Sequence, residues 1–104
     1  MKNELPISCG DGWLHLIKAC HEELLAIDPG YKPTQIKEKF GSLRFYFEST
    51  LDRKDENFLR MYSIVNRYEL ESMKTCEKCG KPGEGVLNGR WLHTLCEHHA
   101  NFAH

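Results

Sequence analysis

Cys76-Glu77-Lys78-Cys79-Gly80, followed after a sixteen-residue gap by Cys96-Glu97-His98-His99, is the stretch that decides the fold. Two Cys separated by two residues, then a Cys and a His separated by two, is a Cys₃His ligand set for a structural zinc ion. A Cys-x-x-Cys-Gly turn bends both thiolates toward one ion while backbone amides reach the sulfurs, and Gly80 permits the tight backbone that follows. The expected metal ligands are Cys76, Cys79, Cys96 and His99. His98 lies beside His99 and either could turn inward. On a helix, Cys96 and His98 stand about 200° apart and Cys96 and His99 about 300°, which favours His99.

Between the two pairs, Val86-Leu87 and Arg90-Trp91-Leu92-His93 flank Asn88-Gly89, a dipeptide suited to a two-residue hairpin turn. Thr94-Leu95-Cys96-Glu97 has the form of a capping box, which predicts a helix from Leu95 through Phe102. Knuckle, hairpin and helix in this order resemble a treble-clef zinc finger, an analogy of fold that carries no function.

A disulfide is the competing reading of the thiols. The chain has five Cys, an odd number, and no apolar secretory segment opens it, so reduced thiols and a cytoplasmic setting are expected. With 14 basic and 15 acidic residues, nothing biases the chain toward nucleic acid or a membrane. No stretch approaches the roughly 20 apolar residues of a membrane span. At 104 residues the chain is expected to form one domain, with a core over 11–73 and a zinc-binding part over 74–104.

Met1 to Gly10 shows no periodicity and reads as a lead-in. Trp13, Leu16, Ile17, Cys20, Leu24 and Ile27 recur at helical spacing, predicting an amphipathic helix to about Asp28 with Asp11 as N-cap. Asp28-Pro29-Gly30 ends it, and Tyr31-Lys32-Pro33 reads as an irregular connector. Gln35 to Phe40 and Leu43 to Glu48 then predict a β-hairpin turning at Gly41-Ser42. Leu43, Phe45 and Phe47 mark the buried face of its second strand; Ile36, Glu38 and Phe40 share one side of the first. From Arg53 to Met73 the set Phe58, Met61, Tyr62, Val65 and Tyr68 predicts a long helix capped by Asp52. The fold class is α+β: helix, hairpin, long helix, then the zinc finger, with both helices on the aromatic face of the hairpin.

Gly10-Asp11-Gly12-Trp13, the run Gln35 to Tyr46, and Cys-x-x-Cys-Gly with Thr94-Leu95-Cys96-x-x-His99 together resemble a family of small proteins common in phages and prophages. The resemblance spans nearly the whole chain. It implies a phage-related origin, a similar fold and action by binding a host component, and it supplies no catalytic residues.

Three functions follow as expectations. The first is a protein-binding module, with an inhibitor of a host defence or regulatory protein as its specific form, and with Arg44, Tyr46, Glu48, Lys37 and Lys39 as exposed candidates on a face that also reads as simply solvated. The second is nucleic-acid binding through Lys32, Lys37, Lys39 and Arg44, against which the C-terminal helix carries no Lys or Arg. The third is an HNH-like nuclease, disfavoured because Ala100 stands where a ligand is needed and His93 has no acidic neighbour in sequence. No catalytic triad, phosphate loop or dinucleotide fingerprint is present, so no enzyme is expected. Cys20 reads as a buried small hydrophobe, Cys9 as an exposed thiol without a base. Trp91, rather than Trp13, is favoured to cover the zinc site or rest on the long helix.

Overall fold

The computed structural model describes residues 5–101. It is α+β, with two small sheets and three α-helices: β1 (Ile7–Ser8), α1 (Leu14–Ile27), β2 (Lys32–Lys39), β3 (Ser42–Glu48), α2 (Glu56–Ser72), β4 (Glu84–Asn88), β5 (Trp91–Leu95) and α3 (Glu97–Asn101). The expected limits at residues 1 and 104, and Phe102 as the end of the last helix, lie outside the described residues.

The stripe predicted for α1 is the buried one. Trp13, Leu16, Ile17, Cys20 and Leu24 enter one apolar cluster with Ile36, Leu43 and Phe45 of the sheet and Met61 and Val65 of α2. Of the other α2 positions, Phe58 and Tyr62 stack in a ring cluster with Phe47, and Tyr62 keeps about half its surface in water. The start of α1 differs from expectation. Asp11 opens a single 3-10 turn, Asp11–Trp13, and makes no side-chain cap; Leu14 N–H donates to the Asp11 carbonyl instead. Likewise α2 is capped by Asp55, whose carboxylate accepts from Asn57 N–H at 2.8 Å. Asp52 serves the turn before it, accepting from Lys54 N–H at 2.8 Å.

The hairpin is longer than its alternation suggested. β2 begins at Lys32, inside the segment read as a connector, and its register shifts between Pro33 and Gln35, where a proline without N–H interrupts the ladder. Phe40 and Gly41, at φ 55° and 78°, make the turn, so it lies one residue earlier than Gly41-Ser42. Two positive φ values match the twist of the flanking strands. Phe40 is therefore a turn residue, 69% exposed, and leaves the buried side of β2 to Ile36. The lead-in also contributes a strand: β1 pairs parallel to β2, Ile7 opposite Ile36, giving the order β1-β2-β3.

Both helices share the apolar cluster with the hairpin, and α2 does more than cover a face. The outward N–H groups of edge strand β3 are met by α2 side chains, Leu43 N–H by Ser72 Oγ at 2.8 Å and Phe45 N–H by the Glu69 carboxylate at 3.0 Å. An open edge is thereby closed against pairing with another chain. Asp28 anchors the far end, accepting from Ser49 Oγ, Thr50 N–H, Thr50 Oγ1 and Gly30 N–H.

Candidate metal centre

The knuckle is built by short-range hydrogen bonds. Gly80 N–H donates to the Cys76 carbonyl at 2.9 Å, Cys76 N–H to the Lys81 carbonyl at 2.7 Å, and Gly80 takes φ 85°. Gly89-Arg90 turns the hairpin β4-β5, with Gly89 at φ 66°; Asn88 stays in β4 opposite Trp91, so the turn lies one residue later than Asn88-Gly89. The helix α3 starts two residues later than the capping box predicts. Thr94 stays in β5 and donates its hydroxyl to the Gly41 carbonyl at 2.6 Å, so it is not free to cap; Cys96 takes that position, its carbonyl accepting from Ala100 N–H at 2.8 Å.

These elements bring Cys76, Cys79, Cys96 and His99 together, every pair of ligand atoms within 4.8 Å. Cys79 Sγ lies 3.6 Å from Cys96 Sγ; His99 Nδ1 lies 3.2 Å from Cys96 Sγ and 3.5 Å from Cys76 Sγ. A tetrahedral ion with bonds of about 2.3 Å to sulfur and about 2.0–2.1 Å to nitrogen would set its ligands about 3.8 Å apart for S···S and about 3.5 Å for S···N. The separations are those of a coordination shell. A disulfide needs about 2.0 Å, and all five cysteines are free thiols. His99, not His98, faces the sulfurs; His98 is exposed and stacks edge-on against the His99 ring.

The electrostatics fit a cation. Burial alone would push the Cys76 thiol up, but the backbone N–H groups of Cys96, Lys78 and Cys79 aim at its sulfur and bring it down to about 6. The Lys81 amide favours the Cys79 thiolate, yet burial and the neighbouring Cys96 and Cys76 sulfurs leave its pKa raised. Thiols this close do not all ionise unaided, and a divalent ion among them removes the conflict.

Two residues, Trp13 and Glu77, hold the knuckle in place through bonds that the sequence does not signal. Trp13, fully buried, donates its indole N–H to the Thr75 carbonyl at 2.9 Å. Trp91, expected to cover the metal, is instead 73% exposed at the hairpin tip. Glu77 exchanges bonds with Thr94, its N–H donating to the Thr94 carbonyl at 2.9 Å and its carboxylate accepting from Thr94 N–H at 3.0 Å. Its other oxygen lies 3.1 Å from His93 Nδ1, so the acidic neighbour that His93 lacks in sequence is present in space. Nothing in the spacing signals this: a Glu between two knuckle cysteines looks like a solvated spacer.

Cys9 is half-buried against the core rather than exposed, and Cys20 is fully buried as expected. Lys37 and Arg44 face each other across the hairpin, with Lys37 Nζ 5.9 Å from the Tyr46 ring centre and Tyr46 and Glu48 in water. Among the described residues no helix is long and apolar enough to cross a membrane. No protein-family model, curated protein or solved structure matches the chain.

Proposed function

We propose that this chain is a small zinc-containing binding protein, of phage-type origin, that acts by protein-protein contact in the cytoplasm of a bacterial host, with an inhibitor of a host defence or regulatory protein as its specific form. The carrying observation is the closed ligand set. Three thiolates and one imidazole complete a tetrahedron and leave no position for water or substrate, which is the character of a structural ion rather than a catalytic one. Thiolate-rich tetrahedral coordination selects zinc among common divalent ions. Knuckle, hairpin β4-β5 and α3 around that ion support the treble-clef reading.

A contact surface accompanies it. Leu87, Trp91 and Leu92 of the β4-β5 hairpin are exposed, as is Phe40 at the neighbouring turn, where Gly41 packs on Leu92. Aromatic and leucine side chains left in water beside a rigid metal unit are suited to bury against a partner.

Nucleic acid is the second reading, favoured by one feature. Lys37, Lys39 and Arg44 share the outer face of the hairpin with Tyr46, and Lys39 Nζ lies 5.7 Å from the Phe40 ring centre, so cations and exposed rings alternate as on a base-stacking surface.

One experiment separates the two. Tagged protein is used to capture material from a bacterial lysate, with and without nuclease, alongside Trp91→Ala and Lys37→Glu variants. A single stoichiometric protein that survives nuclease and is lost in Trp91→Ala supports the protein-binding reading. Capture that vanishes with nuclease and with Lys37→Glu replaces it by the second.

A further inference from the structure

We propose that Glu38, Glu77 and His93 form a second site, for a divalent cation of the hard or borderline kind, at the seam between the three-stranded sheet and the metal unit. The three come from separate segments: the end of β2, the knuckle and β5. One oxygen of each carboxylate and a ring nitrogen of His93 lie within 4.8 Å of one another. His93 Nδ1 and Glu77 Oε1 are already 3.1 Å apart, close to the roughly 3.0 Å that separates neighbouring ligands at right angles on an ion with bonds near 2.1 Å. A small inward movement of Glu38 completes the set.

The protein holds these groups for reasons that leave donor capacity over. Glu38 spends one oxygen on Gly41 N–H at 2.8 Å, and its other oxygen has no protein partner among the described residues. Glu77 is fixed by Thr94 N–H and its side chain is only 12% exposed. Among the described residues, no Lys or Arg pairs with either carboxylate, and His93 is the only positive charge that could stand between them. Two half-buried carboxylates this close repel, and a cation relieves the repulsion.

Burial is the largest reason that the Cys9 thiol is pushed up to about 11, and Glu77, Asp11 and Glu38 add negative charge around it. Two carboxylates and an imidazole suit Mn²⁺, Fe²⁺ or Co²⁺, whereas the neighbouring thiolates take a softer ion. The thiolate set is the better zinc site of the two, so zinc fills it first and leaves the second to be probed with another ion. Three protein ligands leave coordination positions for water, so this second site is open where the first is closed. An ion there ties the β2-β3 turn to β5, beside the bond from Thr94 to Gly41.

The test is Mn²⁺ binding to the zinc-loaded protein, followed by electron paramagnetic resonance and by melting temperature. The expected result is one Mn²⁺ per chain and a melting point that rises with Mn²⁺. Glu38→Gln and His93→Gln each weaken that uptake by at least about tenfold, the loss that even an outer partner of a metal ligand typically causes, while keeping one zinc per chain. Glu38→Gln retains the acceptor for Gly41 N–H, so its fold is preserved, and without Mn²⁺ it melts higher than wild type because a repulsion is gone. Absence of Mn²⁺ uptake by wild type, or wild-type affinity in either zinc-retaining variant, overturns the site.

Discussion

The helix-and-sheet part and the metal unit are held together by different physics. Among the described residues, the first buries eleven in one apolar cluster: Trp13, Tyr31 and side chains of α1, both long strands and α2. Among the described residues, the apolar cluster of the second buries only Leu95 and two of the candidate ligand cysteines, with Val86 and Ala100 partly covered. A core of that size is small for the length of chain it orders. On the zinc reading proposed above, coordination bonds supply what the core lacks. The first part is thus expected to tolerate loss of the ion, and the second is not.

The sharpest way to break this contrast is to remove the metal. A structural zinc contributes an apparent ~10–16 kcal/mol, so strong chelation, or Cys79→Ser, is expected to unfold β4, β5 and α3 while α1, α2 and the β2-β3 hairpin persist. Hydrogen exchange read residue by residue checks it: protection lost only after Thr75 is the expected pattern. Loss everywhere would mean that the two parts form one cooperative unit.

The reciprocal change is in the core. Ile17→Ala, at a fully buried position facing the sheet, is expected to cost about 2–5 kcal/mol by denaturant melting. Zinc affinity of the folded protein should stay the same. Next in size is the link between the parts. Trp13→Phe keeps most of the ring but strands the Thr75 carbonyl, at a cost of about 1–3 kcal/mol. If the parts couple through this bond, the variant lowers both transitions; if they do not, only the core transition moves.

How much of this was legible follows from the same contrast. Core helices announce themselves by period, so the buried stripe of α1 from Trp13 to Leu24 could be read directly, as could Leu43 and Phe45 on β3. The metal ligands were legible through chemistry, because Cys and His at that spacing have few other uses. What sits between the two signals was hidden. Ile7 pairs with Ile36 across nearly thirty residues, Glu69 and Ser72 cap the edge of β3 from a helix, and Glu77 clasps Thr94. Each is a polar or short-strand contact made across the chain, with no period to betray it. The start of α3 was misplaced for a related reason: Thr94 has the sequence of a cap, but its hydroxyl is claimed by Gly41, a residue 53 positions away. A place on the short hairpin suggests that Trp91 covers the metal site or rests on the long helix, but Trp91 is exposed, and it is Trp13 that is buried with a partner for its indole N–H.

A smaller effect, confined to acid, tests the end of the sheet far from the metal. Ser49 and Thr50 hydroxyls, with the Thr50 and Gly30 amides, favour the ionised Asp28 and hold it down to about 2 against the penalty of burial. In the unfolded chain an Asp titrates near 3.9. The folded state therefore binds its proton less readily, and the stabilisation is complete above about pH 4 and fades as pH falls through about 2. Asp28→Asn should lower stability at neutral pH and flatten this acid limb, without changing zinc content. An acid limb of unchanged steepness would assign the acid sensitivity to other carboxylates.

The smallest change expected is also the one that decides the fourth ligand. His98 and His99 are adjacent and chemically equal, and sequence separates them only by helical angle. In the structure His99 Nδ1 faces two sulfurs while His98 lies on the exposed side of the same short helix. His98→Ala should thus shift stability far less than His99→Ala and keep one zinc per chain. His99→Ala opens the coordination shell and should weaken zinc binding far more, with the cobalt-substituted protein showing an altered ligand-field spectrum. If the two variants exchange these outcomes, α3 is turned by about 100° from its position here and presents His98 to the sulfurs.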